Sequence, residues 1–283
     1  MNKVIISTDS TCDLPQELIE KYDIKIQPLH VNLDDKDYLD GVDIFPDDIY
    51  KTYDEKGILP KTSAPNIGEY LVSFDKYLKE GESVIHISLG SGLSSSYQNA
   101  VAAASNFENV FVIDSGNLST GIGLLVLEAV ELAQIGLKAQ DIVERILEIK
   151  PKVDASFVIN NLTYLYEGGR LSALEAFGAN VFNIKPQIVV DNTTGNMKVG
   201  KKFRGKYQVV LKKYINEKLA EDGDINHKRI FITHSGCDDE LLEIAKDSLK
   251  DYGKFEEILV SRAGSTISAH CGYNTLGILF IRK

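Results

Sequence analysis

The chain has 283 residues, 43% of them apolar, enough for one large or two ordinary domains around a substantial core. Its 31 Lys and Arg against 41 Asp and Glu leave a net charge of −10, the wrong sign for a nucleic-acid backbone or an anionic membrane surface. Cys12, Cys237 and Cys271 are widely spaced with no CxxC pair, which argues against a zinc or redox motif and fits a reducing cytoplasm.

The start, "MNKVIISTDS", has a strand pattern rather than that of a secretory leader, so a cytoplasmic location is expected. A helix is predicted from about Pro15 to Lys21. The acidic run "LDDKDYLDGVDIFPDD" lacks the spacing and terminal Glu of a calcium loop and reads as a solvated loop. In "KTSAPNIGE", Asn66 and Glu69 have capping-box spacing, which starts a helix and leaves Thr62 and Ser63 outside it with hydroxyls to spare. Such loops often reflect turn chemistry alone; a ligand-facing role is the alternative.

The strand "SVIHISL", a helix after Ser96, the strand "NVFVID" and a helix over Ser119 to Gln134 continue a βα alternation. The apolar run "IGLLVLEAVELAQI" is interrupted by Glu128 and Glu131, too short and too charged to span a bilayer. This alternation predicts a parallel sheet with ligands at the strand C-terminal ends. There "STDSTCD", "GSGLSSS" and "DSGNLSTGIG" would ring one crevice. Each has a local reading too: Asp13 with Gln16 and Ser95 with Gln98 as helix caps, and Gly121 and Gly123 as points of close helix packing.

Beyond "LEIKPKVDAS", with Pro151 as a boundary, the pattern becomes mixed α/β. A hairpin is signalled around Asn192 to Asn196. A helix near Tyr207 to Glu221, the strand "RIFITHS", a helix from Asp239 to Leu249, the strand "EEILVSR" and a closing strand "TLGILFIRK" follow. Two domains are expected, over residues 1–153 and 154–283.

None of the histidines at 30, 86, 227, 234 and 270 accompanies a GxSxG elbow, since "GSGLSSS" lacks the final glycine. The same loop lacks the lysine of a phosphate-binding loop, and "GNLSTGIG" lacks dinucleotide-fingerprint spacing. No metal site is expected; His234 and Cys237 read as structural. Hydroxyl and amide donors suit a carboxylate as well as a phosphate.

Taken in order, "STDSTCDLP", "KTSAP", "ISLGSGLSSSYQNA", "YEGGRLS", Lys185 with its proline, "GKKFRG" and "SAHCG" resemble the DegV family over essentially the whole chain. The resemblance implies an N-terminal parallel-sheet, Rossmann-like domain and a C-terminal mixed α/β domain, with one fatty acid buried between them. It implies that Thr62, Ser94 and His270 bind the carboxylate, with Arg204 near the same end. It implies an acyl carrier without an ATP site or cofactor of its own, holding palmitate or oleate for a separate ATP-binding fatty acid kinase subunit. The acyl phosphate would then pass toward phospholipid synthesis. Arg170 corresponds to the arginine that engages the kinase. Ser95, where glycine is common, and Tyr273 in "HCGYN" depart from the family pattern and are expected at the pocket mouth. Burying about fourteen methylenes at ~0.8 kcal/mol each gives roughly 11 kcal/mol of gross driving force before ordering costs. Transient bilayer contact is compatible with ligand entry. The alternative is a hydrolase or acyltransferase using Ser94 and His270.

Overall fold

A computed structural model describes residues 3–169, 184–220 and 222–283. Strands β1 (Val4–Asp9) and β2 (Lys25–Gln27) flank helix α1 (Gln16–Lys21). Next come β3 (His30–Leu33), β4 (Lys36–Leu39), α2 (Pro46–Lys56), β5 (Lys61–Ser63) and α3 (Ile67–Leu78). Then follow β6 (Ser83–Ser88), α4 (Ser96–Ala104), β7 (Val110–Asp114), α5 (Thr120–Gln134) and α6 (Ala139–Ile149). The rest supplies β8 (Val153–Val158), α7 (Thr163–Glu167), β9 (Ile184–Val190), β10 (Met197–Arg204), α8 (Tyr207–Leu219) and β11 (Ile225–His234). It ends with α9 (Asp239–Tyr252), β12 (Glu257–Arg262), α10 (Ser265–Cys271) and β13 (Leu276–Arg282).

The first sheet has the order β2-β1-β6-β7 and is parallel throughout. Its central strands are buried along nearly their whole length, as strands covered on both faces must be. The second sheet, β10-β9-β8-β13-β11-β12, is antiparallel except for β11 against β12. A small antiparallel sheet, β4-β3-β5, packs against α10.

Helix α5 explains how the two large sheets share a core. It packs against β1 and β6 on one side and β8 and β13 on the other, and every residue from Thr120 to Leu127 is buried. A helix apolar all round needs walls on both sides, and here those walls are two sheets. The charges that interrupt its apolar run are paired with the second sheet. Lys228 Nζ lies 2.6 Å from Glu128, and Arg229 lies 2.9 Å from Glu131 and 2.5 Å from Glu257. Gly123 lets α5 approach Leu14, and Gly121 lets it approach Asn117, the close packing expected of them. Among the described residues no helix is long and apolar enough to cross a membrane.

The acidic run is not the loop it was expected to be. Asp34 and Asp35 form the left-handed turn of the β3–β4 hairpin, Asp48 caps α2 through the Phe45 amide, and Asp47 pairs with Arg262. These roles depend on turns and partners that alternation alone could not reveal. The predicted hairpin at Asn192 to Asn196 does form, joining β9 to β10.

Candidate functional site

Thr62 lies at the centre of β5, opposite Val31 of β3, half-buried between exposed Lys61 and Ser63. The capping box just beyond is present: Glu69 N donates to Asn66 Oδ1 at 3.1 Å, and Asn66 N donates to Glu69 Oε2 at 2.7 Å. With α3 capped by its own residues, the Thr62 hydroxyl is left for another partner. That partner is His270, 208 residues away, whose Nε2 is 2.8 Å from Thr62 Oγ1.

His270 is the penultimate residue of α10, and two buried aspartates fix the other end of that helix. Gly264 N donates to Asp13 Oδ1 at 2.8 Å and Ser265 N to Asp40 Oδ1 at 2.7 Å. Amides at a helix start have no partner within the helix, and the two side chains supply the missing acceptors. Asp13 adopts a left-handed conformation (φ 49°) and accepts from Ser119 Oγ at the start of α5. It does not cap α1, because its carboxylate points into this cross-chain junction. Burial pushes its pKa up to about 8, against the hydrogen bonds from Ser119 and Gly264 that pull it down.

Gly168, just after α7, closes the back of the histidine. A Cβ there would overlap His270 Nδ1 and come within 2.8 Å of the Tyr164 carbonyl. The glycine therefore lets the α7 turn lie against the imidazole.

Ser94 arrives on the loop after β6. Its first amide, Leu89 N, donates to Asp9 Oδ2 at 2.8 Å. Ser94 Oγ accepts from Ser96 N at 3.2 Å and lies 2.9 Å from Ser96 Oγ, so Ser94 rather than Ser95 bonds the start of α4. Ser95 does occupy the N-cap position, but its side chain is exposed and makes no capping bond, because its backbone (φ −78°, ψ 5°) lacks the extended conformation that aims a capping hydroxyl at the first turn. The β9–β10 turn pins this loop, with Gly92 N donating to Thr194 O at 3.0 Å and Asn117 Nδ2 to Asn192 Oδ1 at 2.9 Å. Gly116 (φ 56°) permits the contact, since a side chain there would overlap the Asn192 carbonyl.

These segments line a partly open cavity whose empty space, open solvent included, is about 550 Å³. Leu29, Leu89, Leu93, Leu118, Leu165, Met197 and Ile267 make its walls apolar; Thr62, Ser63, Ser94, Thr266 and His270 supply its polar groups. A second cavity of about 330 Å³ shares Leu118, Ile267 and Cys271 with the first and continues toward Phe157 and Leu279 of the second sheet. Cys271, on the shared wall, has its thiol pKa pushed by burial up to about 12, so it presents a neutral, apolar surface. His234, beside the second cavity, is pushed down to about 4 by burial and the nearby Arg262 and Lys246 charges.

Three expected residues, Thr62, Ser94 and His270, therefore meet in one cavity. Arg204, at the end of β10, is exposed and lies outside the lining residues, because the strand's alternation buries Phe203 and turns Arg204 outward. Arg170 falls outside the described residues. Ser95 and Tyr273 do not line the mouth: Tyr273 is exposed and packs edge-on against Tyr50, ring centroids 5.5 Å apart. Asp13, Asp40 and Gly168 complete the site without having been singled out as parts of it. Their contribution depends on contacts between distant segments, for which the sequence carries no local signal.

A second group of the same residue types lies deep beneath the Ser94 loop. His86 Nδ1 is 3.0 Å from Ser7 Oγ, and His86 Nε2 is 3.3 Å from Asp9 Oδ1. Tyr70 OH and Ser88 Oγ each donate to Asp9 at 2.7 Å. Burial alone would raise the Asp9 pKa, but His86 and the donors from Leu89 and Tyr70 outweigh it and hold the carboxyl below its usual range. Ser7, His86 and Asp9 are all fully buried, so no substrate reaches them.

A family model described as "Uncharacterised protein, DegV family" matches residues 3–283. A DegV domain-containing protein of Clostridium acetobutylicum is 36% identical over 289 residues, covering all of both chains. The fatty-acid-binding DegV-family protein of Thermus thermophilus superposes with a TM-score of 0.91 at 27% identity, covering all of both chains. DegV of Bacillus subtilis, a fatty acid binding protein, does so with a TM-score of 0.87 at 29% identity, again over both entire chains. The chain belongs to the DegV family.

Proposed function

We propose that this DegV-family chain binds one long-chain fatty acid, such as palmitate or oleate, with its carboxylate at Thr62, Ser94 and His270 and its tail in the apolar cavity. The observation that carries this reading is an aliphatic cavity in which three distant segments contribute polar groups. The likeness to fatty-acid-binding proteins of the family supports it. With His270 Nε2–H donating to Thr62 Oγ1, the Thr62 hydroxyl proton is directed to one carboxylate oxygen, and Ser94 serves the other. A carboxylate taken out of water requires such charge-assisted donors, while the methylenes supply the affinity.

The bound acid is presented to a separate ATP-dependent kinase subunit, with Arg170 at the interface, and the acyl phosphate passes toward phospholipid synthesis. The pairing of His270 with Thr62, and of Ser94 with Ser96, supports holding a carboxylate over attack by a Ser94–His270 couple. Native mass spectrometry of the purified protein, followed by denaturing release, tests the binding step. One fatty acid per chain is expected; a mass that carries none and does not shift with palmitate or oleate sinks the reading. Stoichiometric acyl phosphate formed from ATP without a partner would overturn the carrier role.

A further inference from the structure

Thr266 lies on α10 one turn before His270, and its hydroxyl plays no part in the network described above. Four residues apart on a helix, the two side chains share a face, and four steps of 1.5 Å place them about 6 Å apart along the axis. Both line the 550 Å³ cavity. Thr266 is only 4% exposed, and its Oγ1 has no hydrogen-bond partner among the described residues. Four neighbouring hydroxyls are engaged, Thr62 with His270, Ser94 with Ser96, Ser265 with the Ile44 carbonyl and Ser268 with the Ala263 carbonyl, and Ser63 is exposed. A buried hydroxyl without a partner is a standing cost in the folded protein, one that a ligand bearing a matching polar group removes.

We propose that Thr266 forms a subsite for a hydroxyl group on the acyl chain close to its carboxyl end, so that the cavity favours 3-hydroxy fatty acids over unsubstituted ones. This rests on the fatty-acid reading above. A carboxylate held at Thr62 and His270 places the first few carbons of the chain along the α10 face toward Thr266. The Thr266 hydroxyl can donate or accept, so it pairs with a chain hydroxyl in either sense. Beyond it the shared wall of Leu118, Ile267 and Cys271 is apolar, and the hydroxyls of the second cavity are engaged: Ser119 with Asp13, Thr233 with Thr120, Ser235 with the Gly272 carbonyl and Thr275 with the Cys271 carbonyl.

Calorimetric titration of the full chain with palmitate, 3-hydroxypalmitate and 12-hydroxystearate tests this, using the wild type, Thr266→Val and Thr266→Ser. Valine keeps the shape and removes the hydroxyl; serine keeps the hydroxyl. In the wild type, 3-hydroxypalmitate is expected to bind up to about tenfold more tightly than palmitate, the range of one net hydrogen bond. Thr266→Val should abolish that preference while leaving palmitate binding equal or tighter, Thr266→Ser should retain it, and 12-hydroxystearate should show no dependence on position 266. A preference unchanged in Thr266→Val, or equal weakening of palmitate and 3-hydroxypalmitate, overturns the subsite. A wild type that binds none of the three acids removes the fatty-acid reading itself.

Discussion

Two places in this molecule are built from the same residue types and have opposite fates. Ser7, His86 and Asp9 meet beneath the first sheet's C-terminal edge, fully buried, with the carboxylate saturated by Tyr70, Ser88 and the Leu89 amide. Thr62, Ser94 and His270 meet where the small sheet, the loop after β6 and α10 come together, half-buried and facing a cavity. The first group is sealed and holds strands and the Ser94 loop together, while the second opens onto a cavity that a guest can enter. Residue type does not distinguish a binding site from a structural network; access does.

The largest effect expected from breaking this contrast is in the sealed network. Asp9→Ala strands several buried donors at once and should cost about 3–5 kcal/mol of stability in chemical denaturation. A change under 1 kcal/mol would mean that Asp9 is not the hub. At the open site, Thr62→Val combined with Ser94→Ala should leave stability nearly intact and weaken palmitate binding roughly a hundredfold, about 3 kcal/mol, as two hydrogen bonds to a charged group are lost. Unchanged affinity would place the head group elsewhere.

Asp13 sharpens the comparison through pH. Its folded pKa, about 8, lies above the usual carboxylate value, so between roughly pH 4 and 8 the folded chain keeps a proton that the unfolded chain has released. Stability therefore falls as pH rises through that window, and below it the contribution is fully present. Wild type minus Asp13→Asn should change by about 2 kcal/mol between pH 5 and pH 7. His234 acts in the opposite sense, since its folded pKa of about 4 costs stability as pH falls from 6.5 toward 4. A flat difference curve would show that Asp13 is ionised throughout. The smallest effect expected is for Gly168→Ala. Its methyl group presses on His270 and should cost about 1–2 kcal/mol in thermal unfolding, with a parallel loss of palmitate affinity. An unaltered affinity would mean that the imidazole can retreat without consequence.

The sequence by itself determined the parallel first sheet, the mixed second one, the α3 capping box, the β9–β10 hairpin and the family, because strand alternation, cap spacing and ordered short motifs are local signals. It also left the Thr62 hydroxyl free of the α3 cap, while the grouping of Thr62, Ser94 and His270 came through the family resemblance. What the tertiary structure decided is which of many similar hydroxyls and carboxylates face the cavity. Asp13 and Asp40 proved to be anchors of α10 rather than a helix cap and a solvated acid, and Arg204 proved to point outward. Thr266, unremarkable in "GSTISAH", became a buried, cavity-lining hydroxyl without a partner among the described residues. Those roles depend on segments more than 200 residues apart coming within hydrogen-bond distance, as Thr62 and His270 do. Local sequence encodes the direction of each chain segment, whereas the partner of a buried polar group is set by whatever segment the packed core brings against it.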